Sequence, residues 1–203
     1  MARRPAEEVN AGSMADIAFL LLIFFLVTTT IETDQGINRK LPQIQPDQVD
    51  PPPIKKKNIF IVLINQNEQL LVEDEIMQIG DLREAAVAFL DNGGGTGEEA
   101  CNYCQGAADP ESSDNPIKAV ISVQSDRQTK YGTYIAVQNE LVAAYNQLRD
   151  RAANRLYGVS FTQMEDNYND PSWNGDKVKL EEKIKRIQDM FPMKLSEAEP
   201  KMN

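Results

Sequence analysis

The stretch GSMADIAFLLLIFFLVTTTI, from Gly12 to Ile31, decides how the rest of the chain is organised. A nearly continuous apolar run of about 20 residues is what a helix needs to cross the hydrocarbon core of a bilayer. One carboxylate, Asp16, lies inside the run. A charge there costs at least about 2.5–3.5 kcal/mol on insertion scales, so an acid in this position is a functional candidate. We therefore predict a single N-terminal transmembrane helix over residues 12–31, with the remaining chain attached to it.

Asp16 is the residue that we expect to carry protons. Apolar surroundings favour the neutral form of a carboxyl group and water favours the charged form, so a group that alternates between them can transfer protons. The alternative is an acid near the helix end whose side chain reaches the lipid headgroups. The same side of the helix, continued to its far end, is a predicted pore or pairing face toward a second copy of the chain: Ser13, Leu20, Ile23, Phe24, Val27 and Thr28.

The charges beside the apolar run predict its orientation. Arg3 and Arg4 precede the run, whereas Glu32 and Asp34 follow it. By the positive-inside tendency, residues 1–11 stay in the cytoplasm and the bulk of the chain is exported. A cleavable signal peptide is the alternative, but Asp16 interrupts the core and no A-x-A site follows. We therefore favour an uncleaved anchor.

The composition excludes several classes of function. The formal net charge is −10, and the region after Ile31 contributes 19 basic against 28 acidic residues, which opposes binding to nucleic acid. The chain contains no histidine, which excludes Ser-His-Asp triads and histidine-ligated metals. We expect no enzymatic activity, no metal and no cofactor.

A proline-rich linker is predicted over residues 32–57. It contains five prolines in 26 residues and ends in Lys55-Lys56-Lys57, a run that we interpret as a solvated junction. Proline-rich chain favours extended polyproline conformation, so the linker can span up to about 80 Å at roughly 3.1 Å per residue.

Residues 58–157 have the patterns of a small α+β domain. Strands are predicted over residues 59–64, 69–73 and 117–123, and apolar residues at helical spacing predict helices over residues 79–89 and 134–152. The order ββαβα implies two layers, with the helices on one face of the sheet. Between the first helix and the third strand, residues 91–116 form a predicted insert rich in glycine and acidic residues.

Residues 158–203 form a predicted C-terminal extension. Residues 158–176 have no regular pattern, whereas residues 177–190 predict a helix with an apolar stripe that includes Leu180, Ile184, Ile187 and Phe191. Such a stripe either covers the open face of the domain or contacts a partner.

The insert holds the only two cysteines, Cys101 and Cys104. A thioredoxin-type site requires the pair at a helix N-terminus after a strand, which the pattern does not provide. A structural zinc site requires four ligands, and only two soft ligands are available. A local disulfide or two unreactive thiols is the favoured interpretation.

Three segments resemble the ExbD/TolR family. The segment SMADIAFLLLIFFLVTT, Ser13 to Thr29, closely resembles its transmembrane segment, with Asp16 at the position of the family aspartate. Leu41 and Pro42 resemble a short linker motif that pairs with the globular domain in the family. SVQSDRQTKYGTYIAVQNEL resembles the passage from the last strand to the helix, with Asp126 and Tyr131 at family-like positions. The resemblance covers roughly residues 10–150.

The resemblance implies a proton-driven motor in the bacterial inner membrane. ExbD-like helices act as a pair inside a pentameric ring of ExbB-like subunits, and their periplasmic domains pass work to a TonB-like protein that serves outer-membrane import. TolR-like members instead engage peptidoglycan. The insert and the extension depart from the family pattern. A passive anchor that displays a periplasmic binding module, and a membrane-tethered thiol oxidoreductase, remain alternatives.

Overall fold

The computed structural model describes residues 11–28 and 54–198, which fall in two separate units, Met1–Asp50 and Pro51–Asn203. The described part of the first unit is helix α1, Ala11–Thr28. The large apolar side chains that the structure describes in this helix, between Met14 and Phe25, are exposed, from 41% for Ile23 to 61% for Phe19. Within the described residues, no helix reaches the length and hydropathy needed to cross a membrane. Residues 29–31 of the predicted span lie outside the described residues.

The second unit is built on a five-stranded mixed sheet with the order β3-β2-β1-β4-β5. Strands β1 and β2 pair antiparallel, as do β2 and β3, whereas β4 runs parallel to both β1 and β5. The strands are β1 (Ile59–Ile64), β2 (Leu70–Val72), β3 (Glu75–Met77), β4 (Val120–Ser125) and β5 (Leu195–Glu197). The sheet therefore has two strands more than the predicted three.

Alternation along the strands separates a buried face from an open face, since successive side chains point to opposite sides of a sheet. In β1, Val62 is fully buried, whereas Ile61 is 45% exposed. In β4, Ile121 and Val123 are buried, as the alternation predicts. The predicted strand 117–123 is displaced, because β4 begins at Val120 and ends at Ser125.

A tight turn joins β2 to β3 and explains why β3 was not predicted. Glu73 and Asp74 both have positive φ angles, 48° and 69°. A two-residue turn with both central residues in this region matches the twist of a hairpin, but it usually contains Asn-Gly or Asp-Gly. Strand β3 has only three residues and Ile76 is 74% exposed, so neither turn composition nor alternation marks it.

Three of the four helices of the second unit follow the predicted periodicity or bounds. Helix α2 spans Ile79–Leu90, one residue beyond its predicted end, and α3 spans Tyr131–Tyr157, which is longer at both ends than the predicted 134–152. Helix α5 spans Lys177–Met190, the predicted range. Short 3-10 turns occupy Lys56–Asn58 and Gly97–Glu99. The apolar stripe of α3 is buried against the sheet and the neighbouring helices through Val137, Leu141, Tyr145, Leu148 and Ala152. Helices on one face of the sheet form the predicted two-layer α+β arrangement.

The prediction that residues 158–176 are irregular is wrong. Helix α4, Phe161–Asn169, lies within them. The Ser160 side chain caps it by accepting a hydrogen bond from the backbone of Gln163 at 3.2 Å. A serine followed three residues later by glutamine is a local signal for a helix start, and it marks this one.

The C-terminal residues pack onto their own domain. Leu180, Ile184, Ile187 and Phe191 are buried in the same core as the sheet. After α5, the chain adds β5 to the edge of β4, and the backbone of Ile121 donates to the Lys194 carbonyl at 2.9 Å. Of the two predicted roles for the stripe of α5, the structure supports coverage of the domain.

Candidate functional site

Asp16 lies in the first half of α1, and its side chain is exposed in this single chain. Because α1 is one continuous helix, residues three, four or seven positions apart share a face. This spacing aligns Asp16 with Leu20 and Ile23, and Phe24 lies next to them. The arrangement is a lone carboxylate at one end of an apolar face.

The other predicted site residues of the N-terminal region are described only in part or not at all. Ser13, Val27 and Thr28 lie within α1, but their side chains are outside what the structure describes. Leu41 and Pro42 lie outside the described residues. Their roles at the pore face and in linker pairing therefore stay predictions.

The lysine run is more than a solvated junction. The Lys57 ammonium contacts one carboxylate oxygen of Asp114 at 2.5 Å, and Lys55 contacts the other at 3.2 Å. Lys55 also pairs with Glu99 at 2.5 Å. Asn58 donates to the Asp114 carboxylate at 2.9 Å and accepts from the Asp114 backbone at 2.8 Å. We call these residues, which join the end of the linker to the insert, the junction cluster.

The electrostatics of the junction cluster are dominated by Asp114, whose side chain is 2% exposed. Burial by itself would raise the pKa of Asp114, but the hydrogen bonds from Lys57, Asn58 and Lys55 outweigh burial and hold the pKa well below its usual range. Glu99 and Asp114 in turn raise the pKa of Lys55. Asp114 and Lys55 therefore stay charged and paired at neutral pH.

The insert is an ordered element rather than a free loop. Cys101 and Cys104 form a disulfide. The buried Asn92 side chain donates to the carbonyls of Asp109 and Ser113, both at 2.8 Å, and accepts from the Asp109 backbone at 2.9 Å. Within the described part of the chain, no group of three or more acidic or cysteine side chains is placed to hold a metal.

Tyr103, inside the disulfide loop, connects the insert to α5. Its hydroxyl donates to the Met190 carbonyl at 2.8 Å, and its ring lies edge-on to Phe191 with centroids 5.4 Å apart. Arg149 of α3 also donates two hydrogen bonds to the Phe191 carbonyl, at 3.0 and 2.8 Å. The C-terminal end of α5 is thus held by both α3 and the insert.

Asp126 directly follows β4, and Tyr131 is the first residue of α3. The Asp126 carboxylate accepts from the Gln128 backbone at 2.9 Å, and its own backbone donates to Thr129 at 3.1 Å. Tyr131 is 76% exposed and stacks on Tyr134. Asp126 thus stabilises a turn, and Tyr131 lies at the surface. Neither residue belongs to the junction cluster.

An apolar groove of about 310 Å³ lies on the open face of the sheet. Leu63, Leu71 and Ile76 supply its apolar surface, and Asn65 and Asp126 lie at its polar edge. Sequence reasoning did not identify this groove or the junction cluster. The apolar run at residues 59–64 and its hairpin partner predicted the strands that line the groove but not which residues face it, and no local pattern pairs Asn58 with Asp114.

The sequence model of the family described as "Biopolymer transport protein ExbD/TolR" matches residues 2–149. The match includes α1 with Asp16, the insert and most of α3, and it ends before α4, α5 and β5. A comparison with curated proteins finds no match.

Proposed function

Since this chain belongs to the ExbD/TolR family, we propose that it is a proton-coupled subunit of an inner-membrane ExbB–ExbD type motor that energises TonB-dependent import. Family membership implies a role in energy transduction for biopolymer transport, with ExbB/TolQ-type and TonB/TolA-type partners. Members of the family are not enzymes.

The observation that carries the proposal is Asp16 within α1. The helix exposes a long apolar surface on which Asp16 is the only ionisable side chain. Such a surface requires cover by lipid or by other protein, because exposed apolar area is unfavourable in water. An acid on this apolar surface is costly, so its presence indicates a function. Each unit charge that crosses a potential of 100 mV releases about 2.3 kcal/mol.

We propose that two copies of α1 lie within a ring of five ExbB-like subunits, with residues 1–11 in the cytoplasm and the α+β domain in the periplasm. The predicted face of Ser13, Leu20, Ile23, Phe24, Val27 and Thr28 would contact the second copy or the ring. The junction cluster supports mechanical coupling, because it fixes the chain at Lys55 and Lys57 to the folded domain. Force along the linker would therefore reach the sheet through β1.

The alternative within the family is a TolR-like protein that engages peptidoglycan, and outside it a passive anchor for a periplasmic binding module. The groove on the open face of the sheet favours a partner-binding role in either case. Leu41 and Pro42 are the linker residues that we expect to pair with the domain.

Replacement of Asp16 by asparagine is the test that separates a motor from an anchor. Asparagine keeps the shape of the side chain and its hydrogen-bonding capacity but cannot titrate. We expect Asp16→Asn to assemble with its ring subunit and to abolish uptake that depends on outer-membrane transport. Asp16→Glu still titrates and is expected to retain partial uptake.

The measurements are growth on a substrate that requires active import, together with copurification of the ring subunit from native membranes in mild detergent. We expect two copies of this chain per complex. An Asp16→Asn variant that assembles and transports at the wild-type rate would exclude the motor and leave the passive anchor.

A further inference from the structure

A second cleft, of about 440 Å³, lies where the β2–β3 hairpin, α2 and the insert meet. Its base is apolar, with the buried rings of Phe60 and Phe89 below the half-buried side chains of Met77 and Ala85. It is separate from the groove on the open face, since no residue lines both.

The edge of the cleft is acidic. Glu73 and Glu75 extend from the hairpin on one side, and Asp109 lies on the insert on the other. None of the ion pairs among residues 11–28 and 54–198 involves these three carboxylates. Lys57 donates to the Pro110 carbonyl beside Asp109, but its ammonium is paired with Asp114.

Glu73 is unfavourably placed in the free protein. Partial burial, followed by repulsion from Glu75, raises the pKa of Glu73. Its backbone, like that of Asp74, has a left-handed conformation, with φ angles of 48° and 69°. A cation at the cleft would relieve the repulsion between the two glutamates.

The insert supplies a fixed wall of the cleft. Gly106 donates from its backbone to the Asp91 carbonyl at 2.9 Å, and a Cβ atom at Gly106 would lie only 2.5 Å from that oxygen. Ala108 is bound in the same way to the Asn92 carbonyl at 2.9 Å. The wall therefore packs directly against the end of α2, and the cleft does not depend on a rearrangement of the insert.

From this combination we infer that the cleft binds a lysine- or arginine-bearing segment of a partner protein. The apolar base suits the methylene stem of such a side chain, and the carboxylates at the edge suit its charged end. Repulsion by three carboxylates disfavours an acidic segment, and a purely apolar segment would bury the carboxylates without a counter-charge. The insert thus gives this chain a recognition surface for a basic partner, and the surface does not involve Asp16.

Two matched peptides test the inference: acetyl-Ala-Lys-Ala-Lys-Ala-amide, and the same peptide with norleucine in place of lysine. The full chain in detergent is labelled with ¹³C at the methionine methyl groups. Met77 reports on the cleft, and Met164 and Met190 lie outside its lining. We expect the lysine peptide to shift the Met77 signal saturably and to bind about tenfold more tightly than the norleucine peptide, as expected for charge-assisted contacts.

The variant Glu73→Gln/Glu75→Gln should weaken binding of the lysine peptide about tenfold, because the contacts lose their charge. The control is Glu181→Gln/Glu182→Gln, which makes the same charge change on α5 and should leave binding unchanged. An unshifted Met164 signal shows that each variant is folded. Equal binding of the two peptides, no shift of Met77, or equal loss in the control would overturn the inference. A Met77 shift that depends on protein concentration without peptide would overturn it in favour of a second copy.

Discussion

The Asp114 carboxylate lies where the end of the linker meets the insert, with two lysines and Asn58 around it. Its negative charge is favourable only because these partners are present, since an unpaired buried charge is strongly unfavourable. At the scale of single residues, Asp114 is therefore the residue on which attachment of the linker depends.

Asp114→Ala should lower the free energy of unfolding by about 1–3 kcal/mol, because it leaves the buried Asn58 amide without its acceptor. The measurement is urea unfolding of the full chain followed by circular dichroism. Glu98→Ala, an exposed change within the insert, is the control and should have little effect.

Asp114 also predicts a dependence on pH. A carboxyl whose folded-state pKa is lowered adds stability above its unfolded-state pKa, about 3.9 for aspartate, and loses it as the pH falls toward the folded value. The wild-type Tm should therefore fall more steeply than that of Asp114→Asn from pH 5 to pH 3. Parallel curves would show that Asp114 does not contribute to acid unfolding.

At the scale of elements, the insert and α5 stabilise each other through Tyr103. The disulfide closes a short loop around Tyr103, whose hydroxyl and ring both contact the end of α5. Burial, and after it the charge of Asp91, raises the pKa of Tyr103, so its hydroxyl keeps the proton that it donates to Met190.

Tyr103→Phe keeps the ring contact with Phe191 and removes the hydrogen bond, at a cost of about 1 kcal/mol. Cys101→Ser/Cys104→Ser removes the loop closure. In both variants the amides in the last turn of α5 should exchange hydrogen faster, whereas those of α2 should not.

Import should remain intact in the double cysteine variant. A loss of import as complete as that of Asp16→Asn would favour a thiol-dependent function.

At the scale of the whole molecule, α4, α5 and β5 belong to the same compact unit as the family-like sheet. The contacts of Arg149 with the Phe191 carbonyl and of β5 with β4 extend that unit beyond the residues that match the family. Burial lowers the pKa of Arg149, and the nearby charge of Glu165 opposes this shift.

Deletion of residues 170–203 should therefore unfold the domain. The four buried side chains of the stripe contribute roughly 1.5–3 kcal/mol each, and a whole domain is stable by only about 5–15 kcal/mol. Urea unfolding and the yield of monodisperse protein measure the effect. Deletion of residues 199–203 is the control. A truncated chain that unfolds at the wild-type urea concentration would show that the extension is only an appendage.

Local pattern by itself determined much of this protein. Alternation gave the buried face of β4, a short apolar run gave β1, helical spacing gave α2, α3 and α5, and the long apolar run gave α1. These elements follow from sequence because their side chains repeat with the period of the structure. Asp16 was found because a charge in an apolar run is costly wherever the helix lies.

Tertiary structure decided the rest. Strands β3 and β5 have three residues each and exist only because neighbouring strands pair with them. The apolar stripe of α5 packs onto its own domain because the chain folds back there, and the stripe by itself does not encode which surface it covers. Asn58 and Asp114 are 56 residues apart, and the acidic cleft joins residues of the hairpin, α2 and the insert. No local period encodes such contacts, because they arise only when distant segments pack together.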